Sequence, residues 1–345
     1  MELLPRVVGM MHRELDQRQG YLQSKLLTSI YFGGGTPSLL APEDIESLID
    51  HARRIFDCSA VDEVTIEANP DDLTEEYVER LARTSVNRVS LGVQSFDDEV
   101  LRFMNRRHSA EDAEHAVERL RGAGISNISV DIIFGVAGFG DAHLGESLRR
   151  VIALDVEHIS AYHLTIEEPT RLGLLMRKGE YTPVSEERSE EEFLMVHNAL
   201  VGAGYDHYEV SNFAKRGYRA KHNSAYWSGV EYLGIGAGAH SFSGDNRTWC
   251  LSTAKEYSEA NFRFEDETLT TQDHLNEYVM TQLRTSSGID LDWVAAHFGK
   301  SEAQRLVGAA APWLESGAMQ RVANRLSIPA DRFLLSDAVI ESLFA

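Results

Sequence analysis

A chain of 345 residues, 43% of them hydrophobic, is long enough to build one large α/β unit and a smaller one, each with its own core. Its 54 acidic residues against 33 basic ones give a formal net charge of −21, which repels a phosphate backbone and argues against nucleic acid as a partner. No apolar run is long enough to span a bilayer, and Arg6, Arg13, Glu14, Asp16 and Arg18 interrupt the first twenty residues, so neither a transmembrane segment nor a secretory signal is expected and the expected location is cytoplasmic.

Leu3, Leu4, Val7, Val8, Met11 and Leu15 recur at helical spacing within residues 1–22, and Gly20 lies near the end of that stretch. Residues 29–32 then read as a short strand that runs into Gly33, Gly34, Gly35, Thr36 and Pro37. Three glycines remove every Cβ where a strand ends, so the backbone there can adopt positive φ and present its N–H and C=O groups to a bound molecule. A helix is expected over 42–55, a strand over 64–70 and a helix over 73–81. The rhythm repeats with a strand at 88–93, a helix at 97–104, and a helix at 109–120 opened by Ser109 and Asp112 as a capping pair. A strand at 128–134, a helix at 144–154, a strand at 158–164, an acidic helix at 185–201 and a strand at 207–210 continue it. Strands and helices alternating in this way predict parallel βαβ units, in an open sheet or a barrel.

Thr36, Glu67, Gln94 and Asp131 stand on or just beyond successive strand C-termini. In a parallel barrel those ends share one face, where sites are built. Each residue alone could be a structural hydrogen-bonder. Glu67 and Asp131 lie in otherwise apolar strands, where a lone carboxylate is costly to bury, and together with the glycine loop they favour a ligand site.

Beyond residue 209 the style changes, with His222-Asn223-Ser224-Ala225-Tyr226-Trp227 followed by alternate glycines at 234, 236 and 238. Alternate glycines let the backbone approach a flat ligand or another segment closely. His222 and His240 could each ligate a metal or act as a structural hydrogen-bonder, and Tyr226 and Trp227 could be core or lid aromatics. Helices expected at 272–284, 291–297 and 302–315, a basic segment at 321–325 and a last helix at 337–343 resemble a winged-helix-like module. The acidic whole assigns that module a packing or lid role. Cys58 and Cys250, with no CxxC between them, supply neither a disulfide framework nor a Cys-rich metal site.

Taken together, Gly33 to Pro37, Glu67-Ala68-Asn69-Pro70, Ser90 to Phe96, Asn105-Arg106-Arg107-His108, Asp131 to Gly135 and the 208–242 region resemble the radical S-adenosylmethionine family of oxygen-independent coproporphyrinogen oxidases, in order and over nearly the whole chain. The resemblance implies an α/β fold, a partial (β/α)6 barrel over residues 1–245 lacking its first strand, with a small helical domain over 246–345. It implies that Gly34, Gly35 and Thr36 contact the methionine end of S-adenosylmethionine while Glu67, Gln94, Arg106 and Asp131 hold the rest. The HNxxYW form of residues 222–227 is similar to the heme-binding signature of the family's heme-chaperone branch. By that resemblance His222 is the axial ligand to heme iron, and Asn223, Tyr226 and Trp227 belong to the heme site.

The implied function is therefore a heme chaperone that passes heme to a respiratory protein. The alternatives are oxidative decarboxylation of coproporphyrinogen III by a 5′-deoxyadenosyl radical, and a cluster-less S-adenosylmethionine-binding protein. One departure matters: family members bind a [4Fe-4S] cluster with CxxxCxxC after the first barrel strand, and this sequence holds no such motif. By the resemblance a strand and that loop precede residue 1, Met1 looks like an internal start, and the chain as written is expected to be inactive in radical chemistry, with an exposed barrel edge.

Overall fold

The computed structural model describes residues 3–345; residues 1 and 2 of the expected first helix lie outside the described residues. Five strands, β1 (Ser29–Phe32), β2 (Glu63–Ala68), β3 (Arg88–Gln94), β4 (Asn127–Phe134) and β5 (His158–His163), pair in parallel in chain order, with β1 at the edge. The helices that precede or connect them are α1 (Leu4–Arg18), α2 (Pro42–Ile55), α3 (Glu75–Leu81), α4 (Asp98–Phe103), α5 (Ala110–Gly122) and α6 (Asp141–Ala153). Ser109 and Asp112 form the expected reciprocal capping box at the start of α5.

Period-two alternation decides which way each strand faces. Ile66, Val89, Leu91, Val93, Ile128, Val130, Ile132 and Ile159 are buried in one apolar core with Ile45, Ile49, Leu81, Val117, Leu120 and Val151 of the helices. The intervening residues, among them Tyr31, Glu67, Arg88, Ser90, Ser129, Asp131, His158 and Ser160, line the concave face of a curled half-barrel. The fold is thus the expected α/β partial barrel.

After α7 (Arg171–Arg177) and α8 (Glu186–Gly202) the alternation breaks. The strand expected next is β6 (Asp206–Glu209), but β7 (Asn212–Ala214) inserts antiparallel between it and β5. A reversal at Val210 and Ser211 allows this, with the Ser211 carbonyl accepting from Ala161 N–H. The outer side of β6 is not left open: Ser286 N–H donates to the Tyr208 carbonyl and Val210 N–H to that of Arg284, each at 2.9 Å.

Glu209 on β6 is 1% exposed, and its Oε1 and the Oδ1 of Asn212 have no hydrogen-bond partner among the described residues. Burial pushes its carboxyl up to about 7, against the N–H groups of Ser211 and Asn212, which pull it down. The folded state then holds this proton more tightly than the unfolded chain, so the group costs stability as pH rises from its ordinary value of 4.5 through 7. Glu209→Gln is expected to stabilise the protein at pH 8 by about 2–3 kcal/mol, with the difference vanishing below about pH 4, as urea midpoints at the two pH values will show.

Next come α9 (Lys221–Trp227) and a second sheet of β8 (His240–Ser243), β9 (Asn246–Cys250) and β10 (Phe264–Thr268), with α10 (Ala254–Ser258) before β10. The β8–β9 hairpin turns at residues 244 and 245, with Ser243 paired to Asn246. The alternate glycines serve contact between segments. A Cβ on Gly234 would meet the His240 carbonyl oxygen at 2.1 Å, and Gly236, at φ +122°, donates its N–H to Glu14 of α1 at 2.9 Å. Glu14 is fully buried and also accepts from the Tyr257 hydroxyl and from Arg18.

The chain closes with α11 (Thr271–Leu283), β11 (Ile289–Asp290), α12 (Leu291–His297), α13 (Lys300–Glu315), the hairpin of β12 (Gln320–Val322) and β13 (Arg325–Ser327), and α14 (Ser336–Leu343). The basic segment expected at 321–325 is this hairpin.

Candidate functional site

The concave face of the sheet forms a polar pocket, and its lining is set by strand alternation. At its rim stands the glycine loop. Gly34 and Gly35 take φ of +75° and +65°, and a Cβ on either would meet nothing within 4 Å, so it is backbone conformation and not crowding that calls for glycine there. Gly34 N–H donates to Glu67 Oε2 at 3.0 Å, and the Tyr31 hydroxyl donates to Glu67 Oε1 at 2.6 Å.

Gln94 ends β3 at φ +72°, a left-handed conformation that turns the chain out of the sheet. Its Nε2 and an Nη of Arg106 both converge over Gly92, at 3.0 and 3.3 Å from where a Cβ would lie. Arg106 donates to the Gly92 carbonyl and to Asn69 Oδ1. Asp131 pairs with Gly92 in the sheet register and receives the Ser90 hydroxyl at 3.2 Å. Burial pushes its carboxyl up to about 6, against the hydroxyls of Ser160 and Ser90, with the nearby Glu67 charge adding to the rise. Gly34, Gly35 and Thr36 thus follow β1, and Glu67 and Gln94 stand near or at the ends of β2 and β3, whereas Asp131 lies within β4, three residues before its end, and Arg106 reaches Gly92 from the segment after α4.

A second cluster hangs from β1 and β2. Glu63, 4% exposed at the start of β2, accepts the N–H of Lys221 at 3.0 Å and of His222 at 2.9 Å, so one carboxylate caps the first turn of α9. Lys221 also pairs with Asp62. The imidazole of His222 is held on all sides. Ser29 Oγ lies 3.0 Å from Nδ1, Tyr226 Oη 3.1 Å from Nε2, and the Tyr31 ring stacks on it at 4.5 Å. Burial pushes this histidine down to about 4, so it is neutral at pH 7.

Asn223 reaches the cavity that Glu67 and Asp131 line. Trp227 does not join His222: its carbonyl accepts from Gln282 of α11, and its buried Nε1 has no partner among the described residues. His240 is elsewhere, exposed and stacked on Trp249. Sequence reasoning missed Ser29, Tyr31, Glu63, Ser90 and Ser160. The signal for them was the polar residue at every second position of strands that are otherwise apolar.

The donor set at the rim fits S-adenosylmethionine: carboxylates for hydroxyl and amino groups, a guanidinium for a carboxylate, and exposed backbone in the glycine loop. The neutral imidazole of His222 suits heme iron. A [4Fe-4S] cluster does not fit the residues present. Cys58 follows α2 and Cys250 is buried in β9, and no group of three His, Cys, Asp or Glu is placed to hold a metal ion among the described residues.

Comparison with known proteins agrees with the geometry. Residues 7–151 match the model of the Radical SAM superfamily. The heme chaperone HemW of Bacillus subtilis is 37% identical over 281 residues, covering 80% of this chain and 74% of that protein. HemW of Mycobacterium tuberculosis H37Rv is 31% identical over 340 residues, covering 96% and 84%. Among solved structures, the coproporphyrinogen III oxidase HemN of Escherichia coli, a radical SAM enzyme, superposes with a TM-score of 0.81 at 20% identity over 99% of this chain and 83% of its own, a likeness of fold. Matched at 31–37% identity over most of its own length and most of theirs, the chain belongs to the HemW family of heme chaperones, within the radical S-adenosylmethionine superfamily.

Proposed function

We propose that the chain binds heme through His222, holds S-adenosylmethionine on the rim formed by Gly34, Gly35, Thr36, Glu67, Gln94, Arg106 and Asp131, and hands heme to a respiratory protein in the cytoplasm. The observation that carries this reading is the state of His222: neutral, pinned by Ser29 and Glu63, with Nε2 held only by a hydroxyl that is 42% exposed with its residue, Tyr226. Heme, when bound, would supply an iron that can take a nitrogen ligand such as this imidazole. Ser29 fixes the ring's orientation through Nδ1, which leaves Nε2 as the nitrogen that can ligate once the Tyr226 hydroxyl moves aside. Tyr226, set edge-on to the imidazole, adds an aromatic face beside it.

Relatives at 31–37% identity carry the chaperone description, which favours this reading over coproporphyrinogen decarboxylation. No step through a cluster is assigned to the residues present. The test is a hemin titration of the purified chain followed by its Soret band. One hemin per chain is expected, with affinity lowered at least about tenfold by His222→Ala. Unchanged binding in that variant removes His222 as the ligand.

A further inference from the structure

Tyr31 stands between the two ligand regions and touches both. Its hydroxyl donates to Glu67 Oε1 at 2.6 Å, and its ring lies nearly parallel to the His222 imidazole, with centroids 4.5 Å and planes 13° apart. Little room is left for either group to drift. Gly33 packs so closely that an added Cβ would fall 2.3 Å from Tyr31 Cε1 and 2.9 Å from Glu67 Oε1. The second oxygen of Glu67 is held by Gly34 of the glycine loop. Beyond the stack, Ser29 and Tyr226 hold the two imidazole nitrogens, and Glu63 holds the His222 backbone.

We propose that Tyr31 is a positioning residue for His222, and that through it occupancy of the glycine-loop rim changes the grip on heme. The proposal rests on the reading of His222 as heme ligand and Glu67 as a rim ligand. A hydroxyl or amino group of S-adenosylmethionine arriving at Glu67 competes for the oxygen that Tyr31 uses. The phenol is kept protonated by burial and by the Glu67 charge, so once displaced it is a buried donor without its acceptor. Restoring a partner requires the ring to turn, and turning it breaks the stack that keeps the imidazole in plane. S-adenosylmethionine and heme therefore oppose one another, and the coupling is reciprocal.

The experiment titrates hemin into the full chain with and without saturating S-adenosylmethionine, whose own binding is measured by calorimetry. The wild type is expected to bind hemin about fivefold more weakly in its presence. Tyr31→Phe keeps the ring and removes the hydroxyl, so it should bind hemin with the same affinity in both conditions and with the wild-type Soret band. Tyr31→Ala removes the stack, so it should bind more weakly in both and shift the band. The proposal is overturned by a wild type whose hemin affinity ignores S-adenosylmethionine, including through failure to bind it, or by a Tyr31→Phe protein that keeps the full dependence. His222→Ala separates the two levels: hemin binding that survives it unchanged defeats the ligand reading itself, whatever Tyr31 does.

Discussion

Glu14→Ala will cost the fold about 3–5 kcal/mol, the loss expected when one member of a buried charged pair is removed. Glu14 is fully buried and is the common acceptor for Arg18 at 3.1 Å, the Tyr257 hydroxyl and the Gly236 N–H at 2.9 Å. Removing it leaves the buried Tyr257 hydroxyl and Gly236 N–H without their acceptor and takes the counter-charge from Arg18. Arg18 would keep only the Gly234 carbonyl and Ser241 Oγ, at 3.0 and 2.9 Å. Urea denaturation checks this. Glu14→Gln retains an oxygen for two of the donors and should lose about half as much, whereas a Glu14→Gln protein as stable as the wild type would assign the loss in Glu14→Ala to packing alone.

Glu63→Ala should remove about 2–3 kcal/mol of stability and, more tellingly, weaken hemin binding, because the carboxylate holds α9 in register with the sheet. A seven-residue helix has little stability of its own. None of its residues is fully buried, so its position depends on the two N–H groups that Glu63 accepts, on the Asp62–Lys221 pair and on the stack with Tyr31. Without Glu63 the first turn frays and His222 loses its fixed approach. Thermal melting and the hemin titration read the two effects separately. An unaltered hemin affinity in a folded Glu63→Ala protein would show that α9 is held by its aromatic contacts instead.

The barrel was legible because its strands place apolar residues at alternate positions and are followed by helices, several of them opened by a side-chain cap. Val89, Leu91 and Val93 announce β3, and Ser109 with Asp112 announces α5. Glu67 and Asp131 stood out for a related reason, as carboxylates in apolar surroundings. What escaped was short or stabilised from a distance. Three residues of β7 carry no periodicity, and their placement depends on hydrogen bonds to β5. Likewise, α9 has no apolar stripe, since a carboxylate on β2 rather than its own sequence sets its start. The alternate glycines could equally have faced a flat ligand; the choice was made by Glu14, more than two hundred residues earlier in the chain.

The hydrogen bonds that residues 284–286 make along the outer side of β6 have a thermodynamic consequence. They extend the sheet's pairing into the segment that joins α11 to β11, so the far end of the half-barrel is finished by the C-terminal region. Neither part can open without exposing backbone groups of the other, and the two therefore belong to one cooperative unit, in which a change that loosens the last helices also lowers the protection of the barrel.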